Sequence, residues 1–465
     1  MRKMQKSLAI IVMLAIAISV FVVPATAQDM TEVTFWTSEV QPERLEVQEG
    51  IAAAFEAANE GVDVVIVPVE ENEMPNLMVA ELAAGTPPDV ILHSVQFSAA
   101  WVNDGALDPV AATALIDELG IDTFSSGALA LADIGDGQYA SVPSDGWGQL
   151  LLFRADLFEA NGLAAPDSYE NILAAAQALN DPDNGFFGFC GPNAPDQAYT
   201  WQTFEHIALA NGASFVDADG NITFDTPEMQ EAMAFYNELM STGGQPESGW
   251  FWDQTRANYM GGNCGMTIWS PFILDEMAGL RDSAFPSCAE CEDNPAFVAE
   301  NTGFVGAFTG YSNDVPAAWG STFNLGISPD ASDAAVDFAR YWFAEGYLDA
   351  LGIAPEGKFP MRTGTADAPN SFVDSWAMLD VGVDRRAPLS DFYSEEDLST
   401  IVSGSEGYTR MGFDEGYPAL ASAVGSQFFI QENLVAYLNG ELTVEEAAEE
   451  IQFAIEDLQL ELEDN

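Results

Sequence analysis

The residues of this chain best suited to chemistry are tryptophans flanked by small or polar groups, and histidines play little part. Trp36-Thr37 and His93-Ser94 each end an apolar run, and Asp145 and Trp147 sit in Ser144-Asp-Gly-Trp-Gly148. Trp201 lies at the start of a helical pattern. Trp250 opens the aromatic-acid cluster that continues through Trp252 and Asp253. Trp269-Ser270 leads into Pro271-Phe272, Trp319-Gly320 opens another apolar run, and Arg362 follows Pro360-Met361. An indole ring covers apolar surface with its faces and donates a hydrogen bond from its N–H. Such a set is equipped to hold a ligand. Catalytic chemistry has thinner support. His93 and His206 are the only histidines, so mechanisms that need a histidine cluster are excluded. No Gly-x-Ser-x-Gly, His-Glu-x-x-His or phosphate-binding loop occurs. Each candidate also has a structural alternative. Core packing is the commoner role of tryptophan, and Trp342, on a helix face, is the clearest case. His93 is open to a buried, satisfied position, and Arg362 to an ion pair with one of many acids.

The elements that must position these residues alternate. Val33-Thr-Phe-Trp-Thr37 and Val62-Asp-Val-Val-Ile-Val-Pro-Val69 read as strands. Between them Val47, Ile51, Ala54, Phe55 and Ala58 recur at helical spacing. A helix over about 74–84, ending at Gly85, leads to a third strand that reaches His93. Two successive β-α-β units imply parallel strands, with ligands beyond their carboxyl ends. Further on, the spacing predicts helices over 168–179, from Thr226-Pro227, over 331–345 and over 443–459. Ser168 and Thr226 are their expected N-caps.

Composition bounds the rest. The 465 residues suffice for two domains. There are 74 acidic and 13 basic residues, a net charge of −61. This excludes nucleic-acid binding, which needs clustered Lys and Arg, and argues against docking on an anionic membrane. The first residues carry Arg2, Lys3 and Lys6, an apolar run from Leu8 to Val23 and Ala25-Thr26-Ala27, a secretory signal pattern with cleavage near Ala27. An uncleaved anchor is the alternative. Cleavage would remove three basic groups and no acids, so −61 would become −64, with Lys358 the only lysine left. The protein is expected outside the cytoplasm, where this acidity suits a saline or acidic medium. A cation-binding surface is the rival reading of the charge. The four cysteines of an exported chain suggest disulfides, with Cys190–Cys264 and Cys288–Cys291 the expected pairing of three. A four-thiolate zinc site would want a second Cys-x-x-Cys. No metal and no cofactor is expected.

Several segments, in order, resemble the extracellular solute-binding proteins, type 1, of ABC sugar importers, the maltose-binding class. Val33-Thr-Phe-Trp-Thr37 matches their first strand, and Gly85-Thr-Pro-Pro-Asp-Val90 the entry to a later one. Asp104-Gly-Ala-Leu-Asp-Pro-Val110 and Tyr139-Ala-Ser-Val-Pro143 follow, then Leu150–Leu163. Ala164–Leu173 is similar to a helix start in which the family's Thr, Trp and Glu appear as Ser168, Tyr169 and Asn171. Met260–Pro271 resembles a family strand, with Gly265 where Ala is usual. Trp319–Ser328 resembles the return to the first lobe.

The resemblance implies an α/β protein with the two-lobe periplasmic-binding-protein type II fold and three hinge crossings. Lobe one would hold 29–142 plus 304–345, and lobe two 143–303 plus 346–465. It implies a clamp that closes on a small-molecule carbohydrate, as a monomer, and is then read by ABC permease membrane subunits. A sugar offers apolar C–H faces and hydroxyls, so a site needs flat rings beside amides, hydroxyls and carboxylates. The implied ligand set is Trp36, Thr37, His93, Ser94, Asp145, Trp147, Trp201, Trp250, Trp252, Asp253, Trp269, Ser270, Trp319, Gly320 and Arg362. No catalytic residue is implied. Two rivals stand: a binding protein for cationic solutes such as polyamines, using Asp145 and Asp253, and a secreted glycosidase with two positioned carboxylates.

Overall fold

The structure is a computed structural model that describes residues 30–244 and 249–463. The expected signal peptide lies outside the described residues. Strand β1 (Thr31–Thr37) pairs in parallel with β2 (Val62–Pro68) and with β3 (Val90–Ser94). Alternation along β1 sends Val33 and Phe35 to one face and Trp36 to the other. Helix Pro42–Ala58 links β1 to β2. It begins at a proline, whose fixed φ suits the first helical position. Helix Met74–Ala84 links β2 to β3 and ends at Gly85, whose φ of 74° is left-handed.

Strand β4 (Val142–Gly148) remains in this first sheet, and only Gln149 separates it from β5 (Leu150–Arg154) of a second sheet. There β5 is flanked by β6 (Met266–Trp269) and β7 (Thr302–Val305), both antiparallel to it. The ten-residue β8 (Ala318–Ile327) returns to the first sheet, antiparallel to both β3 and β4. With β9 (Phe359–Pro360) the order is β2-β1-β3-β8-β4-β9. A short hairpin, β10 (Asp380–Val381) with β11 (Ala387–Pro388), and β12 (Tyr408–Thr409), parallel to the start of β8, complete the strands among the described residues.

Each sheet has its own core. Phe35, Leu92, Leu325, Phe338 and Trp342 pack together around the first. Tyr169, Phe204, Met233, Tyr236 and Ile451 pack together around the second. Ser168, Thr226 and Ser332 cap their helices as N-terminal acceptors. Helix Pro227–Thr242 buries Met229, Met233, Tyr236 and Met240, and helix Asp333–Phe343 buries Ala335, Phe338 and Trp342 while Tyr341 is only half-buried. The disulfides join Cys190 to Cys264 and Cys288 to Cys291. No helix among the described residues is long and apolar enough to cross a membrane.

The crossings fall later than the sequence pattern suggests. The first comes at Gln149. The second comes after Ala317, because Phe308 and Ala317 still pack in the second core. Residues after 346 do not leave at once: Tyr347, Ala350, Leu351 and Phe372 belong to the first core. The Tyr347 hydroxyl, bonded to the Ser144 carbonyl and the Arg362 amide, holds that segment in place.

Candidate functional site

The carboxyl ends of β1, β2 and β3 face the second body, with β4 and β8 passing alongside. Two buried groupings form there. The first is ionic. Lys358, with no exposed surface, places Nζ 2.6 Å from Glu39 Oε1 and 2.9 Å from Asp145 Oδ1. It also lies 4.3 Å from the centroid of the Phe323 ring. Arg44 meets the other Glu39 oxygen at 2.6 Å. Thr37 holds the turn, its Oγ1 accepting the Glu39 amide at 3.1 Å. Burial alone would raise the Glu39 carboxyl, but Lys358 and Arg44 outweigh it and hold it at about 2. At Asp145 burial wins over Lys358, and the carboxyl is raised. Glu71, just after β2, is also raised by burial and by Glu39, and Ser94 is its hydrogen-bond neighbour.

The second grouping is aromatic. Trp147 of β4 lies 5.0 Å from Trp319 of β8 and 6.4 Å from Phe272, ring centre to ring centre. Trp319 is 1% exposed, its Nε1 donating to Glu205 Oε2 at 2.6 Å. Glu205 also accepts from Arg410 Nε and the Met411 amide, each at 3.0 Å. Arg410 covers the Trp319 ring at 4.5 Å. Trp319 is therefore clamped on several sides, while Trp147 is only half-buried. Gly320 is required here: a Cβ would stand 2.0 Å from a ring carbon of Tyr408. Trp269 closes the far end, nearly buried and edge-on to Tyr199 at 4.9 Å, with the half-buried Ser270 beside it.

The structure thus brings Thr37, Ser94, Asp145, Trp147, Trp269, Ser270, Trp319 and Gly320 to the junction of the two bodies. The other candidates have different surroundings. Trp36 packs with Met74, Met78 and Trp101 on one face of the first sheet. His93 is fully buried against Trp101 at 4.9 Å, and burial pushes it down to about 4, so it is neutral. Trp201 lies in the second core. Trp250 meets Phe187 at 5.5 Å. Trp252 is exposed, with Arg256 over its ring at 4.7 Å, and Asp253 pairs with that arginine. Arg362 is buried and bonds Thr123 Oγ1 and the carbonyls of Phe343 and Leu119. It braces the first body and takes no ion pair among the described residues.

Glu39, Glu71, Glu205, Lys358 and Arg410 lay outside the sequence-based set. Only Lys358 carried a signal, as the single lysine after residue 6 in a chain of 74 acids. Such a residue is paired wherever it is buried.

This architecture has relatives. The chain is 26% identical over 394 residues, 84% of its length and 86% of the relative's, to the putative ABC transporter periplasmic-binding protein YcjN of Escherichia coli (strain K12). Maltose-bound MalE3 of T. maritima superposes with a TM-score of 0.65 at 19% identity, covering 92% of this chain and 100% of that one. The GacH receptor of Streptomyces glaucescens, solved unliganded and with acarbose, gives 0.67 at 18% identity, covering 92% and 98%. Lmo0181 of Listeria monocytogenes, in complex with cycloalternan, gives 0.65 at 18%, covering 93% and 99%. These structures share the two-lobe α/β fold with three crossings. The model of the bacterial extracellular solute-binding proteins matches residues 50–379. That match spans most of the chain, from β2 through β9 and including the Trp147–Trp319 junction, and the chain belongs to the bacterial extracellular solute-binding protein family.

Proposed function

We propose that this protein captures a sugar or oligosaccharide outside the cytoplasmic membrane and delivers it, as a monomer, to an ABC permease. The observation that carries the reading is the aromatic wall of Trp147, Trp319 and Phe272 beside the polar strand ends that bear Ser94, Glu71 and Asp145. Rings suit C–H faces, and the adjoining hydroxyl and carboxyl groups suit sugar hydroxyls. Several similar structures hold maltose, cycloalternan or D-mannitol, which supports the same ligand class here. Binding without turnover fits, because Glu39 and Asp145 are both tied to Lys358 and neither is free to shuttle protons. The cationic-solute reading is weakened for the same reason, since Asp145 is paired with Lys358 and Asp253 with Arg256.

The test is a thermal-shift and tryptophan-fluorescence screen over mono- and oligosaccharides, with polyamines as a second panel. A sugar at about 100 times its Kd should add about 2.7 kcal/mol of stability. Chromatography of the recovered sugar should find it intact. Shifts with polyamines alone, or released reducing ends, would sink the reading.

A further inference from the structure

A second set of buried charges joins the two bodies next to Phe272 of the aromatic wall, beside the first turn of helix Pro42–Ala58. Residues 272–281 approach from the β6 side, and residues 352–358 from the first core. The Phe272 ring lies flat enough on Gly357 that a Cβ there would sit 2.2 Å from it. Arg44 stands 5.8 Å from the same ring centre. Next to this seat, Arg281 Nη2 bridges the bodies, 2.9 Å from Asp275 Oδ2 and 3.4 Å from Glu356 Oε1. Arg256 takes Glu276 at 2.9 Å.

The charges do not balance. Three buried carboxyls, Asp275, Glu276 and Glu356, face two guanidinium groups, and Glu276 Oε2 has no hydrogen-bond partner. A small cavity of about 100 Å³ beside Glu356 adds Glu43, Arg44, Asp380 and Arg386 to its surroundings, two of each sign. Those four leave the surplus negative charge uncancelled. Burying an uncompensated carboxylate is costly, and a bound proton removes that cost.

We infer that the Arg281–Glu356 contact and the Phe272–Gly357 seat form a clasp that couples closure of the two bodies to proton binding, the closed form holding protons that the open form releases. The electrostatics agree in direction. Burial, helped by Asp275, pushes Glu356 up to about 7, and burial pushes Glu276 to about 7 as well. Opening would part Glu356 from Asp275 and Arg281 and return it to water and to the ordinary carboxylate range. Between that range and about 7 the closed form binds more protons, so acidification favours closure and alkaline pH favours opening.

The clasp needs no ligand, so its test is separate from that of the sugar reading. Small-angle scattering of the ligand-free full chain is measured at about pH 5.5 and about pH 8.5, in molar salt to screen the general surface repulsion. The radius of gyration should grow on the alkaline side. In Glu356→Gln the growth should be lost or clearly reduced, with the variant closed at both pH values. An unchanged radius in the wild-type protein overturns the clasp without any variant. Equal growth in Glu356→Gln overturns it too. Should that variant not fold, infrared titration of the wild-type carboxyl band decides: it must show carboxyls titrating near neutrality, and their absence rejects the clasp.

Discussion

The two buried groupings at the junction use the same ingredients, a carboxylate and a base, to opposite ends. Around Lys358 the base lies between two carboxylates, and Arg44 on Glu39 supplies the second positive charge. Around Trp319 the carboxylate of Glu205 gathers an indole N–H, a guanidinium and a backbone amide, and the product is a fixed ring. The first arrangement ties β1, β4 and the segment before β9 into one body. The second presents an aromatic surface whose outer member, Trp147, remains half-open. Charge burial here serves the frame, and the proposed contact surface is made from uncharged rings, one of them held by the paired Glu205 and Arg410.

The comparison breaks hardest at Lys358. Lys358→Met leaves Glu39 and Asp145 buried without their cation, and chemical denaturation should report a loss of about 3–5 kcal/mol. A loss under about 1 kcal/mol would mean the ionic knot is not structural. Acid attacks the same knot. Glu39 is depressed to about 2, so its contribution is present above its ordinary value near 4.5 and is lost as pH falls toward 2. That is on the order of 3 kcal/mol, read as a falling midpoint over that window. On the alkaline side Lys358 is raised, burial being outweighed by Asp145 and Glu39, so its contribution persists until pH exceeds its ordinary range.

The aromatic grouping should respond differently. Glu205→Gln keeps an acceptor for Trp319 but removes the charge facing Arg410, with an expected stability loss of about 1–3 kcal/mol. Sugar affinity should fall alongside, and unchanged affinity would separate Trp319 from the ligand. Trp147→Ala should cost little stability yet weaken sugar binding about tenfold or more, near 1.4 kcal/mol by titration calorimetry. Equal affinity in that variant would remove the ring wall from the site. The smallest effect expected is that of salt: self-repulsion among the unpaired surface acids should lower the melting temperature by a few degrees at low ionic strength. A flat melting temperature up to molar salt would overturn that expectation.

Much of the fold was legible because its signals are local. Ser168 and Thr226 cap helices through atoms three residues away, and the β1 alternation is read within seven residues. Trp147 and Trp319 stood out because glycines flank them, and those glycines do admit neighbouring chain: Tyr408 lies against both Gly148 and Gly320. The partners of the site were not legible. Lys358 and Asp145 are 213 residues apart, Trp319 and Glu205 114, and Arg410 and Glu205 205. In a chain with 74 acids, nothing local distinguishes Glu39 or Glu205 from a solvated carboxylate. Trp36 and Trp201 misled for the converse reason, since a strand end and a helix start look alike whether the side chain turns to a cleft or to a core.

By itself the sequence determined the first three strands, the helices that link them, several later helices and the parallel start of the first sheet. It did so because hydrophobic period, caps and turns act over a few residues. Only the tertiary structure decided which tryptophans share a wall, which acids are buried, and that Lys358 is the cation between two of them. Those outcomes depend on desolvation and pairing across hundreds of residues, and such energies exist only once the chain has closed around them.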